Sequence, residues 1–534
     1  MSAGWKTLGQ CVASLASGCV VGLGFAPTNL WWLVVPGIAS FLVIVIQQRP
    51  GWGFLHGFLF GYGMALIAFR WSGVLGIGVL LVFAAEIALW YGLVGLVVAA
   101  FRKTSVWGLL GVATWMSIEW ISARVPFGGF GWGRLAYTAV ETPLDGFFPL
   151  ISATGVSFII ISTAFLLVGV VRAVVDGQGK IHRSRFLVVL PAGATAVGLI
   201  VSMAGYFLGV YYDPPADQGE VRVGVVQGNV PGMGMHAIGP AYTVDNNHLS
   251  ETIILAAKVR TGLAPHPDFV LWPENSTATD PSIYPRTAEI ISSAIDITGA
   301  PLLMGTISQG PGVDERQTTA LWWTTSHEVD ATYHKRNLVP FGEWVPWKSF
   351  FVALVPDLEY VGAQSVPGTS VGVLDVALGE QPQRVGVIIC FELAYDSTFD
   401  DVIKGDATID GAQVITIQTS NAMFTGTTQM AQQDRITRVR AMESRREILI
   451  ATTNSLAGLV DSHGHVVYAS QLRTSDSQVF TVPLRTHITP AVAYRPWFDL
   501  GTILLPLLGA GVLATAHRPR SQMAKEVSHG GELF

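Results

Sequence analysis

The sequence predicts a polytopic α-helical membrane bundle of about eight spans carrying an extracytoplasmic α/β sandwich domain. Three observations lead there. Charged residues make up 13% of the 534-residue chain and apolar residues 50%, with a mean hydropathy of +0.44, where soluble domains are about 25% charged. Long apolar segments crowd the region before residue 211 and recur once after residue 496. The block between them shows strand and helix periodicities instead.

Taken in order, spans are expected near 7–25, 30–47, 52–71, 77–101, 106–123, 152–172 and 186–210, then 497–516. These lengths match the roughly 17–25 residues needed to cross a hydrocarbon core about 30 Å thick. The chain is thereby divided into a bundle over 1–210, an extracytoplasmic domain over 211–496, an eighth span over 497–516 and a cytoplasmic polar tail over 517–534. Loop charges set the orientation. With the N-terminus inside, cytoplasmic segments carry Lys6, Arg49, Arg102, Lys103, Arg172, Lys180, Arg183, Arg185, Arg518, Arg520 and Lys525, against Arg70, Arg124 and Arg134 outside. Basic residues stay on the cytoplasmic side, so both termini are read as cytoplasmic. Lys6 ahead of the first apolar segment imitates a secretory leader. Six further spans follow it, so it is read as an uncleaved helix.

Glu86 and Glu119 fall within spans, where an ionisable group is costly and marks a site unless it lies near a helix end or bonds a neighbouring helix. The latter reading is preferred for both. Residues 125–138, "VPFGGFGWGRLAYT", are too short and too rich in glycine to cross a bilayer as a helix. They are expected as an outside interfacial loop with Trp132 and Tyr137 at headgroup depth. Cys11 and Cys19 lie on one apolar segment, about 12 Å apart along a helix, too far to bridge, and read as packing residues.

From Glu220 the pattern changes. "EVRVGVVQGN" alternates Val221, Val223 and Val225 with the period of a strand. Helical stretches near 249–261 and 285–298 lead to "DFVLWPE" and "PLLMGT", followed by the hairpin-like pair "TTALWWTT" and "ATYHKRNLVP". Then come "RVGVIIC", "AQVITIQTSN", a helix near 428–446 and "REILIATTN". Strands alternating with amphipathic helices point to an α/β sandwich. The net charge of −6 argues against a nucleic-acid partner.

Three strand ends carry chemistry. Glu274 follows "VLWP", Lys335 lies in "YHKRNLVPFGEW", and Cys390 ends "VGVII". Catalytic groups of α/β sheets gather at strand ends. Singly, these are a solvated glutamate, a surface lysine and a packed cysteine; jointly they supply a base, a cation and a nucleophile. A cysteine attacks as thiolate, and its free pKa near 8.5 leaves little thiolate at neutral pH. A carboxylate can take that proton, an ammonium can stabilise thiolate and oxyanion, and a strand-to-helix turn adds N–H groups from Phe391 onward. His334 offers a rival Cys–His pair. Adjacent strand residues face opposite sides, so only one of His334 and Lys335 points at the site, and spacing alone does not say which.

"LWPEN", "YHKRNLVPFGEWVP" and "ICFE" resemble the nitrilase, or carbon–nitrogen hydrolase, superfamily. With the apolar segments, "GFGWGRLAYT" and "VQGN", nearly the whole chain resembles its membrane-anchored branch, the apolipoprotein N-acyltransferases. That resemblance implies a nitrilase-like αββα sandwich with Glu274 as general base, Lys335 as oxyanion stabiliser and Cys390 as nucleophile. It implies supporting roles for Glu343, Glu392 and Phe391. Departures fall around the triad: Phe391 stands where tyrosine is common, "SNAMF" puts Ala422 and Met423 where polar and aromatic residues are usual, and "TTNSLAG" lacks a customary glycine.

The implied reaction moves an acyl chain from a phospholipid, through a cysteine thioester, to the α-amine of a diacylglyceryl N-terminal cysteine of an apolipoprotein. Ester to thioester to amide calls for no metal, nucleotide or redox cofactor. Substrate contacts are expected from Trp344 and Trp347, in the aromatic stretch "FGEWVPWKSFFVALVP", and from Asn421 and Phe424. The aromatic stretch reads equally as a lid or acyl-chain guide and as packing under the domain. The resemblance further implies a monomer in the bacterial cytoplasmic membrane. Two other readings stand: a membrane-tethered amidohydrolase using the same triad with water as acceptor, and a non-catalytic scaffold for a lipid-linked glycosyltransferase.

Overall fold

A computed structural model of the chain describes residues 3–176, 200–201, 203–216, 218–232, 242–379 and 381–516. Two compact units emerge: residues 1–121, 154–202 and 496–534 form the first, and 122–153 with 203–495 form the second.

The first unit is helical. Its elements are α1 (Ala3–Gly22), α2 (Val34–Val45), α3 (Pro50–Ala68), α4 (Ile77–Phe101), α5 (Trp107–Ser122), most of α6 (Phe148–Asp176) and a last helix, Arg495–Ala516. Four helices among the described residues are long and apolar enough to cross a membrane: Pro50–Ala68, Ile77–Phe101, Asp145–Ala173 and Arg495–Thr515. The expected spans at 30–47 and 106–123 correspond to helices of only 12 and 16 residues. Part of the expected 186–210 span, the loop with Lys180, Arg183 and Arg185, and the tail with Arg518, Arg520 and Lys525 lie outside the described residues. Helices α1 and α3 approach so closely that a Cβ on Gly18 would fall 1.8 Å from the Phe60 carbonyl oxygen, which only glycine permits. Glu86 accepts a hydrogen bond from Trp90 one turn along its own helix, at 2.7 Å, so its partner is local and not on a neighbour. Cys11 and Cys19 are free thiols.

The second unit is a two-sheet sandwich. It runs β1 (Glu220–Gln227), α7 (Thr243–Arg260), β2 (Phe269–Leu271), α8 (Pro285–Thr298), β3 (Leu302–Gln309), β4 (Glu315–Trp323), β5 (Val329–His334), α9 (Lys348–Leu354), β6 (Gln364–Ser365), β7 (Val373–Leu378), β8 (Gln381–Ile389), α10 (Asp396–Lys404), β9 (Val414–Thr419), α11 (Gln429–Ser444), β10 (Ile448–Thr452), β11 (Gly458–Val460), β12 (Val466–Ala469) and β13 (Asp476–Pro483). One sheet has the order β13-β1-β2-β3-β4-β5, with β6 beside β4; the other has β12-β11-β10-β9-β8-β7. Alternation explains the layering. Val221, Val223 and Val225 point inward with Trp322, Tyr333, Val385, Val387 and Ile389, forming one apolar layer between the sheets. Val226, Trp272 and Trp323 point outward to Leu255, Ile291 and Ile295 on α7 and α8.

Within residues 125–138, Trp132 and Tyr137 are not exposed at headgroup depth but buried in protein. The segment belongs to the second unit, where Trp132 and Tyr137 are only 3% and 4% exposed. The glycines let the chain fold as two short 3₁₀ turns, Gly131–Gly133 and Leu135–Ala139. Protein aromatic rings, rather than lipid headgroups, then cover the indole.

Candidate active site

Strand β8 delivers Cys390. Its buried run ends at Ile389, and Cys390 opens a 3₁₀ turn, Cys390–Ala394, with φ of +51°. A non-glycine residue there is strained and is held only by its surroundings. The first N–H groups of such a turn have no partner within it, which leaves the Phe391 N–H, next in the chain after Cys390, without an acceptor inside the turn.

Strand β5 settles the choice between His334 and Lys335. Tyr333 is buried between the sheets, and Lys335, two residues on, continues that face and is 2% exposed. His334 points the other way, its Nδ1 2.9 Å from the Thr319 hydroxyl. The Lys335 Nζ donates to Glu274 Oε1 at 3.1 Å and to Glu343 at 3.0 Å. Glu274 Oε2 accepts from the Ser420 amide at 2.8 Å. Glu343 also accepts from the Thr318 hydroxyl at 2.9 Å and the Val339 amide at 2.7 Å.

One ammonium between two carboxylates has electrostatic consequences. Burial opposes the Lys335 charge, but Glu274 and Glu343 outweigh it and hold its pKa well above the usual lysine value. Glu274 is raised from the ordinary carboxylate value, because burial and the Glu343 charge outweigh Lys335. Burial, then the Glu274 charge, pushes the Cys390 thiol up to about 12, opposed by Lys335 and by a hydrogen bond with the Thr419 side chain. Burial thus disfavours the charged form of both the thiol and the Glu274 carboxyl, and Lys335 is the charge that opposes this at each of them.

Glu392 is a brace. One of its oxygens accepts from the Tyr333 hydroxyl at 2.7 Å and the Arg336 amide at 2.6 Å, and the other from the Ile389 amide at 2.9 Å. It ties the end of β5 to the end of β8. The remaining sequence candidates lie further out. Asn421 is buried and takes a 3.4 Å hydrogen bond from Thr419, and the Phe424 amide donates to its carbonyl. Trp347 is 71% exposed and stacks on Phe351, with Phe127 against its edge. Trp344 is half-buried, its carbonyl accepting from the Phe341 amide. Trp344 directly follows Glu343 in the chain, whereas the rings around Trp347 are those of Phe351 and Phe127. Among the described residues, no three His, Cys, Asp or Glu side chains are placed to hold a metal ion.

Residues 17–166 match the sequence profile of the apolipoprotein N-acyltransferase N-terminal domain, and residues 268–471 that of carbon-nitrogen hydrolase. Over nearly its whole length the chain is similar to the apolipoprotein N-acyltransferases. A family member of Mycolicibacterium smegmatis is 28% identical, over 94% of this chain and 84% of that one. Those of Coxiella burnetii and Nitrosomonas europaea are 24% and 26% identical, over 93% and 96% of this chain and 99% of each relative. Among solved structures, an amidase of Nesterenkonia sp. AN1 aligns at 14% identity and a TM-score of 0.37, over 54% of this chain and 99% of that one.

Several groups around the site were not singled out in the sequence. Thr419 and Ser420 end β9 beside Cys390 and Glu274, where parallel pairing of β8 with β9 brings the two strand ends together. Tyr333 was accessible to the same alternation that places Lys335. Trp132 and Arg134 were not, because their partners Gln432 and Asp396 are 300 and 262 residues away.

Proposed function

We propose that the chain is an N-acyltransferase that moves an acyl chain from a phospholipid, through a Cys390 thioester, to the α-amine of a diacylglyceryl N-terminal cysteine on an apolipoprotein. The observation that carries this reading is the buried Glu274–Lys335–Glu343 hydrogen-bond cluster acting electrostatically on Cys390, within a chain whose other unit supplies apolar helices. Glu274 takes the thiol proton as Sγ attacks the ester carbonyl. Lys335 and the Phe391 N–H stabilise the oxyanion. The C–O bond breaks, and the lysophospholipid leaves with the proton from Glu274. The α-amine then attacks the thioester, its proton passes through Glu274 to the departing sulfur, and an amide forms. Glu343 and Glu392 hold Lys335 and the two strand ends. Asn421 and Phe424 form a wall next to Thr419, and Trp344 and Trp347 guide the acyl chain.

Both substrates are lipid-anchored, so a membrane-bound enzyme meets them at high effective concentration. The accompanying placement is a monomer in the bacterial cytoplasmic membrane with eight spans, both termini cytoplasmic and the sandwich outside. Loop-charge asymmetry supports it.

The test is the intact mass of the protein in detergent or nanodiscs with phospholipid alone. One acyl group should be gained, and neutral hydroxylamine should remove it. Cys390→Ser should show no such labile adduct. A diacylated N-terminal cysteine peptide should discharge the adduct and become triacylated. Hydrolysis with the peptide left diacylated would favour an amidohydrolase; no adduct, with activity surviving Cys390→Ser, would end the nucleophile assignment.

A further inference from the structure

The turn that follows Cys390 is gripped from outside the sandwich sheets by residues 129–134. The Phe391 ring lies against Trp132, with centroids 5.8 Å apart and planes 21° from parallel, and against Phe130 at 6.2 Å and 27°. The edge of Tyr395 closes a third side at 5.3 Å. Trp132 is itself fixed, its Nε1 donating to Gln432 Oε1 on α11 at 3.1 Å. The Tyr395 hydroxyl donates to the Gly129 carbonyl at 3.1 Å, and Arg134 pairs with Asp396 at 2.5 Å. Gly131 presses so near that a Cβ would sit 2.5 Å from the Ala394 carbonyl oxygen. Apart from the Trp132–Gln432 bond, these contacts fall on residues 391–396, the turn that follows Cys390.

From this arrangement, and resting on the acyl-transfer reading, we infer that Trp132 is a positioning residue: through the Phe391 ring it orients the Cys390–Phe391 peptide, whose N–H meets the oxyanion. Cys390 holds a left-handed φ that an unsupported turn would relax. A phenylalanine has no hydroxyl to anchor it, so ring packing sets its orientation. A donor displaced by a fraction of an ångström loses much of its worth to a developing charge.

The full chain is assayed for the acylation rate at saturating phospholipid, for the half-saturating lipid concentration, and for alkylation of Cys390 by iodoacetamide. Alkylation needs Glu274 and the thiol but develops no oxyanion. W132A should lower acylation roughly 10- to 100-fold, leave half-saturation within about threefold and leave alkylation unchanged. W132F should recover most of the rate, and Gln432→Leu, which frees the indole, should lose part of it. F391A should resemble W132A, and the double variant should be no slower than either, as expected when one residue acts through another. Multiplying losses, an equal fall in alkylation, or wild-type acylation in Gln432→Leu would overturn the assignment; should W132A not fold, Gln432→Leu and W132F decide. If the parent chain forms no acyl-enzyme, the acyl-transfer reading itself fails, a result distinct from these.

Discussion

At the scale of single residues, the site turns on which of His334 and Lys335, at the end of β5, faces Cys390. Lys335 does, since it extends the inward face of Tyr333 while His334 bonds Thr319. The sequence carried this alternation but not its phase. Phase is set by pairing with β4, where Thr319 opposes His334 and Ala320 opposes Tyr333. Lys335→Ala should therefore cut turnover by on the order of 10²–10³, the usual loss of an oxyanion donor, whereas His334→Ala should keep most activity. Steady-state rates in detergent decide it, and a dead His334→Ala with an active Lys335→Ala would restore a Cys–His mechanism. Cys390 was ambiguous in the sequence because a buried thiol and a nucleophile look alike at a strand end. Its positive φ and its carboxylate neighbours appear only once the backbone is folded.

At the scale of elements, the sandwich strands with clear alternation were legible, but the short or edge strands β7, β11, β12 and β13 were not. Helix α11 is the sharpest case. The sequence places a helix there but not its burial: although rich in arginine and glutamine, almost every residue in it is buried. Its charges are met from afar. Arg440 pairs with Asp396 at 2.8 Å and Glu443 at 2.7 Å, and Arg495 pairs with Glu443 and Asp400 at 2.9 Å. Burial would raise Asp396, but Arg134, Arg495 and Arg440 together hold its carboxyl far below the usual range. Glu443 is likewise lowered by Arg495 and Arg440 against burial. For Asp400 burial wins and its pKa rises despite Arg495. The sign for the first two follows. A depressed folded pKa means the unfolded chain binds more protons in acid, so their stabilisation is complete above the unfolded values near 4 and is lost as pH falls. Asp400 has the opposite sign and softens the trend. The apparent Tm should fall steeply below about pH 5. Asp396→Asn should lower Tm at pH 7, by the equivalent of about 3–5 kcal/mol for a broken buried pair, and should flatten that acid limb. An acid limb of unchanged slope in Asp396→Asn would remove the network as its cause.

At the scale of the whole molecule, composition alone announced a membrane protein with a water-compatible block, because apolar excess and strand periodicity are local signals. Membership of a compact unit is not local, and residues 122–153 cluster with the sandwich unit although they lie between apolar helices. Orientation is a third kind of signal, written in loop charges. Eleven basic residues fall on one side of the expected spans and three on the other, and of those three Arg134 is committed to a buried pair with Asp396. Transfer of basic loops across a membrane is disfavoured, so the loop at Arg102 and Lys103, between α4 and α5, should stay cytoplasmic and the sandwich should be exported. Alkaline phosphatase, active only outside the cytoplasm, should be active when fused near residue 300 and silent when fused near residue 104. A cytoplasmic fluorescent reporter should give the mirror image. The reverse pattern would put Cys390 in the cytoplasm. Lipid-anchored acceptors displayed on the outer face would then be out of reach, and the acyl-transfer reading would lose its second substrate even with the chemistry of Glu274, Lys335 and Cys390 intact.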